Sequence, residues 1–555
     1  MRRTVPLLVL ALAGLATYTT AAVPAPDPDD GGLTLPPGFR AFIVADDLTK
    51  LSGRPREQLR FLAATPNGDL YAKLQSSGIV ALHDADGDGR FEQQRTFGSG
   101  GGTGIAFHGN WLYHSSNTAI FRYPYRVGEL VPSGEQQVIV RDLPEQRSHN
   151  SKSFAFDAEG RLLVEVGSPY NVFSEPDRQL GAKGKDATEH QKRHGGFWRF
   201  DADRLNQTQA DGFHFSTGHR HCLAVAWQPI AREFFMVMMG RDNLSTVAPE
   251  FYDDFDNAER VAEEMHRLHE GANLGWPYTY WDPHRKARMV APEFGGDNRQ
   301  RAEPGRYPDP LIAFPAHWAP LQMTFYTGAQ FPARYRGGAF IAFHGSWNRA
   351  PLPQDGFNIA FVPFDERGNP LGTYEIFAAN KGPQRFRMGG VAVAPDGSLF
   401  ISETDRGRIW RIIYVGDNAT TPAANIPAQT SATPADVLPT PAGSILSSAL
   451  GATLYERHCA TCHMPDGAGA GNMQPALVGS PIVAGEPARL IDLILRGPDA
   501  VLPADRPRYA NAMPPFAPLL NNDETAALVN FLRQRFGQTS AAVTPAEVSA
   551  IRARQ

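Results

Sequence analysis

One local pattern recurs across the first 415 residues and limits the fold more than any other feature. In six places a turn is followed at once by a short apolar or aromatic segment. The six segments are 67–71, 109–113, 159–164, 232–237, 337–342 and 396–401. Short strands bounded by turns in a repeated series predict β architecture. A closed ring of such sheets leaves few exposed edges, so the pattern predicts a six-bladed β-propeller over residues 33–415.

The composition agrees with a packed globular chain. Hydrophobic residues make up 42% of the 555 residues and charged residues 20%, which is enough apolar surface for a core. The 53 glycines and 46 prolines supply the many turns that short strands require. The formal net charge is −5, whereas a nucleic-acid-binding protein usually carries a basic face. The charge therefore argues against a nucleic-acid partner.

The N-terminus has the pattern of a secretory signal peptide over residues 1–22. Arg2 and Arg3 precede an apolar segment at 5–16, and the small residues Ala21 and Ala22 offer a cleavage site. Twelve residues are too few to span a bilayer core of about 30 Å. The alternative is an uncleaved membrane anchor. We expect an exported protein, periplasmic in a Gram-negative host, without a membrane span in the mature chain.

The composition changes at Gly416. Residues 417–443 contain five prolines, seven alanines and five threonines, with few large apolar side chains to bury. This stretch predicts an extended linker over 416–444. Helical spacing of Leu528, Leu532 and Phe536 then predicts a terminal helix that stops at Gly537. We therefore expect a small all-α domain over 445–537 and a short tail over 538–555.

Only three cysteines are present, and two of them lie in one motif. Cys459 and Cys462 are followed directly by His463, which is the attachment pattern of c-type haem. Both thiols can add to the porphyrin, and His463 is placed to bind the iron. The alternative is a redox or zinc site, but zinc usually takes four ligands and no further cysteine is near. Cys222 precedes an apolar run and is expected to be a small buried side chain, so no disulfide is predicted.

The second axial ligand of the iron must come from another segment. Met464 is too close in sequence to reach the opposite face of the haem, which leaves Met473 and Met513. Met513 is favoured because two prolines follow it and stiffen its loop. The order of helix, haem motif, methionine loop and terminal helix resembles the small class I cytochromes c over 445–537. Ligation by methionine and histidine raises the reduction potential, which suits an electron acceptor.

A haem domain needs a source of electrons, and the first domain shows no dinucleotide-binding glycine motif in a βαβ context. It carries instead polar segments that flank predicted strands and could converge on one face of the ring. They lie at 147–152, 217–221, 240–243, 317–320, 344–349 and 385–387. Over most of 33–415 the chain resembles the glucose/sorbosone dehydrogenase family. The likeness is strongest at 218–220, 240–242, 273–277 and 344–349. This resemblance implies a six-bladed quinoprotein propeller that binds pyrroloquinoline quinone (PQQ).

The resemblance also implies roles for individual residues. His149 matches the family's catalytic histidine, which takes the hydroxyl proton as hydride leaves carbon. Arg220 matches the arginine at the reactive quinone carbonyl, where a guanidinium stabilises negative charge. The alternatives are a histidine in a polar turn and a surface salt bridge. Further PQQ-binding candidates are His221, Trp318, Arg349, Arg385 and Arg387. His221 and Trp318 stand where relatives carry asparagine and serine, which leaves the substrate open.

Two calcium sites are expected. Family members use Ca²⁺ to polarise the quinone, and the matching positions here are Met239, Gly240 and Asp242. A second candidate is the loop with Asp84, Asp86 and Asp88, which has the first half of a calcium-binding loop. Position 12 of that loop is an arginine and not the bidentate glutamate, so an Asx-type turn is the alternative.

These inferences predict an exported quinohaemoprotein dehydrogenase. A sugar, sugar aldehyde or polyol would be oxidised at PQQ in the propeller, and electrons would pass singly to haem c. They would then pass to a cytochrome or a terminal oxidase. One rival is a non-catalytic binding propeller with an electron-relay haem domain. A second rival is a lyase or lactonase-type propeller, which would need a set of carboxylate metal ligands that the sequence does not offer.

Overall fold

The computed structural model describes ten stretches of the chain. They are residues 25–54, 57–350, 352–381, 386–416, 446–464, 467–469, 474–506, 509, 513–537 and 542–554. The predicted signal peptide 1–22, the linker beyond Gly416, and the candidate ligands Arg385 and Met473 lie outside the described residues. None of the helices in the described stretches combines the length and apolar character that crossing a bilayer requires.

The first domain is a six-bladed β-propeller, as predicted. Two N-terminal strands join blades that form later: β1 (Leu33–Thr34) and β2 (Phe39–Ala45). Blade 1 contains β3 (Leu59–Ala64), β4 (Leu70–Leu74), β5 (Ile79–His83) and β6 (Gln93–Phe97). Blade 2 contains β7 (Ile105–His108), β8 (Trp111–Ser115), β9 (Ile120–Pro124) and β10 (Gln137–Val140).

Blades 3 and 4 carry insertions. Blade 3 contains β11 (Phe154–Phe156), β12 (Arg161–Val166), a side hairpin of β13 (Ser174–Glu175) and β14 (Lys183–Gly184), the helix α1 (Thr188–Gln191), β15 (Gly196–Asp201) and β16 (Phe213–Thr217). Blade 4 contains β17 (Ala224–Gln228), β18 (Glu233–Met238), the helices α2 (Leu244–Val247) and α3 (Asp254–Glu259), and β19 (Glu263–Leu268). It continues with β20 (Ala272–Asn273), which pairs with blade 3, a hairpin of β21 (Thr279–Asp282) and β22 (Ala287–Val290), and β23 (Ile312–Phe314).

Blades 5 and 6 complete the ring. Blade 5 contains β24 (Pro320–Phe325), β25 (Ala339–His344), β26 (Phe357–Val362) and β27 (Glu375–Asn380), with β1 on its outer edge. Blade 6 contains β28 (Met388–Val393), β29 (Leu399–Glu403) and β30 (Ile409–Tyr414). Short 3₁₀ turns occur at Asp30–Gly32, Leu48–Ser52, Gln209–Asp211, Pro292–Phe294, Ala333–Tyr335 and Trp347–Arg349.

The ring is closed by strands from opposite ends of the domain. β2 pairs antiparallel with β30, from Phe39 opposite Tyr414 to Ala45 opposite Ile409, and so becomes the outer strand of blade 6. The inner strands β3, β7, β11, β17, β24 and β28 contact one another in a closed cycle. At the closure the indole nitrogen of Trp410 donates to the carbonyl of Gly31 over 3.0 Å. A Cβ at Gly31 would lie 2.5 Å from that nitrogen, so this close approach requires glycine.

Each of the six turn-and-strand segments in the sequence belongs to a different blade. In every blade the segment is the turn after the inner strand together with the second strand, which is β4, β8, β12, β18, β25 or β29. The predicted blade number is therefore confirmed. The spacing is uneven because blades 3 and 4 contain the two hairpins and the short helices.

The C-terminal region is helical, as predicted. Its helices are α4 (Leu446–His458), α5 (Ala460–His463), α6 (Pro481–Ala484), α7 (Pro487–Arg496), α8 (Pro498–Val501), α9 (Asn522–Arg535) and α10 (Pro545–Arg552). Helices α4 and α9 cross at Gly451, where a Cβ would lie 2.4 Å from the carbonyl oxygen of Ala527. Asn521 and Glu524 form a capping box at the start of α9, and Leu528 and Leu532 are buried in the core.

The last residues differ from the short tail that the sequence predicts. Val548 of α10 is fully buried against the helical core. Arg552 donates to the carbonyl oxygens of Ala517 at 2.8 Å and Leu520 at 2.7 Å. These two carbonyls lie just before α9, so the arginine ties the end of the chain to the loop that follows Met513. Helix α10 is therefore packed as part of the helical domain.

Candidate active site

One face of the propeller collects buried charged side chains, and we call it the upper face. Inner strands begin at this face and second strands end there, because the two run antiparallel in every blade. Four cations, three buried and one partly buried, stand at or just before the first residues of four inner strands: Lys152, Arg220 and Arg387, and Arg60. Burial lowers the pKa of Lys152 to about 8 and that of Arg60 to about 10. Guanidinium and ammonium groups in this position suit an anionic ligand.

His149 lies on the upper face, two residues before the buried Ser151, with its backbone in the left-handed region at φ 52°. Its Nδ1 donates to the carbonyl oxygen of Ser168, which holds the ring in one orientation. The remaining nitrogen, Nε2, is therefore the one with a free lone pair in the neutral ring. Burial, together with the charges of Arg220 and Arg178, lowers the pKa of His149 well below the ordinary histidine value. This histidine is neutral at physiological pH and can accept a proton.

Arg220 is the second residue of the predicted pair, and it lies beside His149. Its guanidinium forms a buried ion pair with Asp242 through Nη2. Among the residues that the structure describes, its buried Nε has no hydrogen-bond partner. A buried guanidinium nitrogen without an acceptor raises the free energy of the folded protein. A ligand oxygen that accepts its hydrogen bond would remove that penalty. Arg220 is therefore prepared to bind an acceptor group in the site.

Asp242 is the centre of a cluster that joins three blades. Besides Arg220, its carboxylate contacts Arg178 Nη1 at 3.1 Å, Asn348 Nδ2 at 2.8 Å and His317 Nδ1 at 3.3 Å. Its pKa lies well below the ordinary aspartate value because the attraction of these groups, Arg220 first, outweighs burial. Both carboxylate oxygens of Asp242 thus contact donor groups of the protein.

His221 and Glu165 form a second buried pair next to His149. The ring centroids of His149 and His221 are 4.8 Å apart. His221 Nδ1 lies 3.1 Å from Glu165 Oε1, and the other carboxylate oxygen of Glu165 has no partner among the described residues. A Cβ at Gly167 would lie 2.9 Å from both groups, so the absence of a side chain there leaves room for the pair. The predicted site residue His221 is therefore brought to the site.

The residues present fit the tricarboxylate quinone that the resemblance implies. The upper face offers several buried cations, an unpartnered Arg220 nitrogen, and His344, whose buried Nε2 also lacks a partner in the described part of the chain. Arg387 and Arg60 both act on the pKa of His344, which burial lowers well below its usual range. Arginine groups are suited to carboxylates because their planar donors match the carboxylate oxygens. The charge and the free donors therefore agree with an anionic cofactor.

Two predicted PQQ-binding residues do not reach this site. All three guanidinium nitrogens of Arg349 have protein acceptors: Glu259, and the carbonyls of Ala258, Ala316 and Pro353. Trp318 is 1% exposed, packs on Phe343, and donates from Nε1 to Asp355 at 3.2 Å. Both side chains belong to the packing around blade 5, and the geometry does not bring them to the quinone.

Four residues at the site were not identified from the sequence. They are Glu165, Arg178, His317 and Asn348. His317 lies in the polar segment 317–320, in which the resemblance points to the neighbouring Trp318. Arg178 comes from the insertion between β13 and β14, which carries no periodic signal.

The calcium positions have different surroundings. Met239 donates its backbone N–H to the carbonyl of His221, and Gly240 donates to Glu263 at 2.8 Å. The carbonyl of Asp242 already accepts from Asn171 at 2.9 Å and from Arg241. Protein donors therefore occupy both the carboxylate and the backbone carbonyl of Asp242, and neither group points to a free position for a calcium ion.

The exposed loop at 84–92 brings Asp84, Asp86 and Asp88 together with Glu92. Their ligand atoms lie within 4.8 Å of one another, and Glu92 is an addition to the predicted set. Asp84 accepts from the backbone of Gly87 and Gly89, as an Asx-type turn requires. Calcium binding at this loop stays a prediction.

The haem motif has the arrangement that iron ligation needs. Cys459 and Cys462 flank the start of the short helix α5, and His463 ends it. His463 Nδ1 lies 2.9 Å from the carbonyl oxygen of Pro475, to which it donates. This hydrogen bond orients the ring and leaves Nε2 as the nitrogen that would bind an iron, as second-shell bonds do for histidine ligands. Met513 is partly buried against the same core, and Met473 lies outside the described residues.

The haem motif lies on the propeller. Helix α5 contacts the 3₁₀ turn Trp347–Arg349 of blade 5, the turn that supplies Asn348 to Asp242. Burial raises the pKa of the Cys462 thiol to about 11, and the charges of Arg178 and Asp242 also act on it. The haem attachment site is therefore close to the charged centre of the upper face.

Cys222 is completely buried beneath this centre, as its apolar context predicts. Its Sγ lies 3.8 Å from His219 Nδ1, and burial raises its thiol pKa well above the ordinary value. An inert side chain of this kind has a packing role.

Comparison with known proteins supports the division into two regions. The TrAA12-like family model matches residues 33–414, and the cytochrome c family model matches residues 448–535. An uncharacterized protein of Borreliella burgdorferi is 24% identical over 280 residues, which is 49% of this chain and 63% of that protein. The cytochrome c subunit of a quinone alcohol dehydrogenase from Gluconacetobacter polyoxogenes is 36% identical over 108 residues, which is 19% of this chain and 23% of that subunit. The chain thus spans less than two thirds of the length of these curated relatives.

A solved structure shares the propeller fold. The holo form of the pyranose dehydrogenase PQQ domain from Coprinopsis cinerea has a TM-score of 0.54 and is 18% identical. The match covers 71% of this chain and 99% of that one. At this level of identity the likeness concerns the fold.

Proposed function

Because the chain belongs to the TrAA12-like family over residues 33–414 and carries a cytochrome c domain after it, we propose that it is a quinohaemoprotein dehydrogenase. The proposed substrate is a sugar, a sugar aldehyde or a polyol, and the proposed cofactors are PQQ and haem c. The observation that carries the proposal is the meeting of a neutral, oriented His149 with the unpartnered nitrogen of Arg220. The printed names of the relatives, a quinone alcohol dehydrogenase subunit and a pyranose dehydrogenase PQQ domain, point to the same class.

His149 acts as the general base in this proposal. PQQ, when bound, accepts a hydride from the substrate carbon, and haem c accepts electrons one at a time. The substrate hydroxyl must lose its proton as the carbonyl forms, and Nε2 of His149 is free to take it. The bond from Nδ1 to Ser168 keeps that nitrogen directed into the site. The lowered pKa keeps the ring unprotonated before each turnover.

Arg220 acts as the electrostatic partner. Its charge is held by Asp242, so the guanidinium stays in place without substrate. Nε of Arg220 can then donate to an oxygen that gains negative charge in the reaction. A donor fixed in advance does not have to reorganise when the charge appears.

The helical domain holds the haem through Cys459 and Cys462, with His463 and Met513 as the proposed iron ligands. The proposed onward acceptor is a cytochrome or a terminal oxidase, and the proposed location is the periplasm or another exported compartment. Independent folding of the two domains on either side of the 416–444 linker is part of the same proposal. Calcium at the quinone remains a prediction from the family resemblance.

The experiment follows haem reduction by stopped-flow absorbance in the full chain, loaded with PQQ and Ca²⁺ and mixed with a panel of sugars, polyols and aldehydes. His149→Ala should slow substrate-driven haem reduction by about 10²–10⁴-fold, with little change in PQQ affinity. His108→Ala is the matched control, because His108 ends β7 at the opposite face of the ring. That variant should reduce its haem at the wild-type rate.

Two outcomes would contradict the proposal. Equal haem-reduction rates in the wild type and in His149→Ala would remove His149 from the reaction. A wild-type haem that no sugar, polyol or aldehyde reduces would remove the dehydrogenase function itself.

A further inference from the structure

A cavity opens on the upper face beside the charged centre, over blades 2 and 3. It has a volume of about 480 Å³, within the range of small-molecule sites. Its walls come from three loops at 99–101, 116–118 and 145–150, each of which reaches the upper face. We call it the side groove. Its polar lining includes Ser116, Asn117, Thr118, Gln136, Gln146 and Asn150.

The side groove has a different chemistry from the charged centre. Its walls are hydroxyl and amide groups with one aromatic ring, Phe121, and one charged side chain, the exposed Glu145. The cationic centre suits a carboxylate-bearing cofactor, and this groove does not. Hydroxyl and amide groups act as both donors and acceptors, which matches an uncharged molecule that carries many hydroxyl groups. The ligand class that fits is a neutral carbohydrate.

The groove lies beside the segment that carries His149. Gln146, on its wall, donates from Nε2 to the carbonyl oxygens of Ser148 at 2.9 Å and His149 at 2.6 Å. It also donates to Gly167 at 3.1 Å, and Asn150 follows His149 in the chain. The same segment thus forms the wall of the groove and carries the proposed base. A molecule in the groove would therefore lie against the segment that carries His149.

The haem motif lies on the other side of the ring. Helix α5 contacts the turn Trp347–Arg349 of blade 5, and blade 5 faces blade 2 across a ring of six. The groove and the haem contact therefore flank the charged centre from opposite sides. Substrate and electrons have separate routes in this geometry, so the groove stays available while the haem domain is docked.

We propose that the side groove is a carbohydrate subsite, which binds the sugar unit next to the one that is oxidised. This inference rests on the proposed dehydrogenase function and names its substrate class. The substrate is an oligosaccharide or glycoside whose terminal unit reaches His149, while the adjoining unit is held by the amide and hydroxyl groups of blades 2 and 3.

The test compares glucose with maltose, cellobiose and lactose, since each disaccharide has the same reducing-end carbon as glucose. The full chain, loaded with PQQ and Ca²⁺, should have a higher kcat/KM for at least one disaccharide than for glucose. Thr118→Trp, which fills the groove, should lower kcat/KM for that disaccharide about tenfold and that for glucose less than about twofold. Thr96→Trp is the matched control, because Thr96 is exposed on the outer strand β6 of blade 1.

A second variant guards against misfolding of the tryptophan variant. Asn117→Ala should lower the disaccharide value about threefold without filling the groove. Calorimetric titration of the quinone-free chain with the same disaccharide provides a readout that does not depend on turnover. Binding should be present in the wild type and weakened in Thr118→Trp and Asn117→Ala.

The outcomes separate the two proposals. Parallel losses for glucose and disaccharide in Thr118→Trp and Asn117→Ala, or a wild type that never prefers a disaccharide, would overturn the subsite and leave the dehydrogenase intact. A wild type whose haem no sugar, polyol or aldehyde reduces would overturn the proposed function first, and the subsite with it.

Discussion

The haem motif and the propeller site are assembled in different ways. Cys459, Cys462 and His463 lie within five residues, at the start of one short helix and within it, so local chain geometry alone brings them together. The propeller site joins Arg220 and Asp242 to Asn348, more than 100 residues later in the chain. Those residues meet only when the whole ring has closed. A site made by local spacing can be identified from a motif, whereas a site made by convergence depends on the entire domain.

The largest expected effect tests whether the two regions are independent. Cys459→Ser combined with Cys462→Ser removes both attachment points, so covalent haem should be lost completely. The helical domain should lose the stability that a bound cofactor supplies, while the propeller keeps its own melting transition. Haem staining and differential scanning calorimetry measure both effects.

Cys222→Ser provides the matched control for that experiment. It places a hydroxyl in a fully buried position of the propeller. It should lower the free energy of unfolding of the propeller by about 1–3 kcal/mol and leave that of the helical domain unchanged. A propeller transition that moved in the haem-free double variant would show that the two regions are not independent.

The next largest effect is expected at the convergent centre. Asp242→Asn removes the anion that neutralises Arg220 and Arg178, and a buried pair that loses one partner costs about 3–5 kcal/mol. Chemical denaturation should show this loss in the propeller, and the haem spectrum should not change. Asp203→Asn is the control, because Asp203 is 83% exposed in its ion pair with Arg122 and should cost at most about 1 kcal/mol. Equal costs in the two variants would contradict the central role of Asp242.

Substitution of Met513 should affect folding less and should change the absorption spectrum of the haem. Met513→Ala should keep the covalent haem but lose the weak charge-transfer absorption of a methionine sulfur bound to ferric iron, and its reduction potential should fall. Absorption spectroscopy and potentiometry measure these changes. If Met473→Ala loses the band and Met513→Ala keeps it, the ligand is Met473.

The last effect concerns pH and the buried Glu263. Burial raises the pKa of this carboxyl to about 7, while its N–H donors, Gly240 and Ala319, lower it. The fold therefore favours the protonated form. The contribution of Glu263 to stability is complete below the unfolded pKa of 4.5 and is lost as the pH rises through about 7.

Glu263→Gln, which cannot ionise, should remove that loss. Relative to this variant, the wild-type propeller should lose on the order of 3 kcal/mol between pH 4.5 and pH 8. Denaturation curves across this range measure the difference. Parallel curves would contradict the raised pKa.

The same contrast explains what the sequence could predict. The six turns predicted the second strand of each blade, and the adjacent thiols predicted the haem motif, because both signals are local. At 317–319 the family resemblance pointed to Trp318, whereas the structure brings His317 to Asp242. His317 and Ala319 both have a left-handed backbone, at φ 61° and 54°. In a regular strand every second side chain points to the same side, and these two residues break that alternation.

A similar reason applies to blade 5. The 3₁₀ turn Trp347–Arg349 directs Asn348 to Asp242 and Arg349 back to Glu259. Two neighbours in one polar segment therefore have opposite roles. Asn348 is a short amide and Arg349 a long cation, but neither residue type tells which way its side chain points. The direction is set by how the turn packs on α3.

The pairing of β2 with β30, which closes blade 6, has a consequence for the chain during its synthesis. β2 emerges from the ribosome early, but its partner β30 begins only at Ile409. At about 5–20 residues per second, β2 waits roughly 20–70 s for the strand that pairs with it. During that time the partly made ring exposes open strand edges, which are sites of mispairing between chains. A chaperone that covers strand edges should therefore increase the yield of this protein more than it does for a domain whose strands pair in order of synthesis.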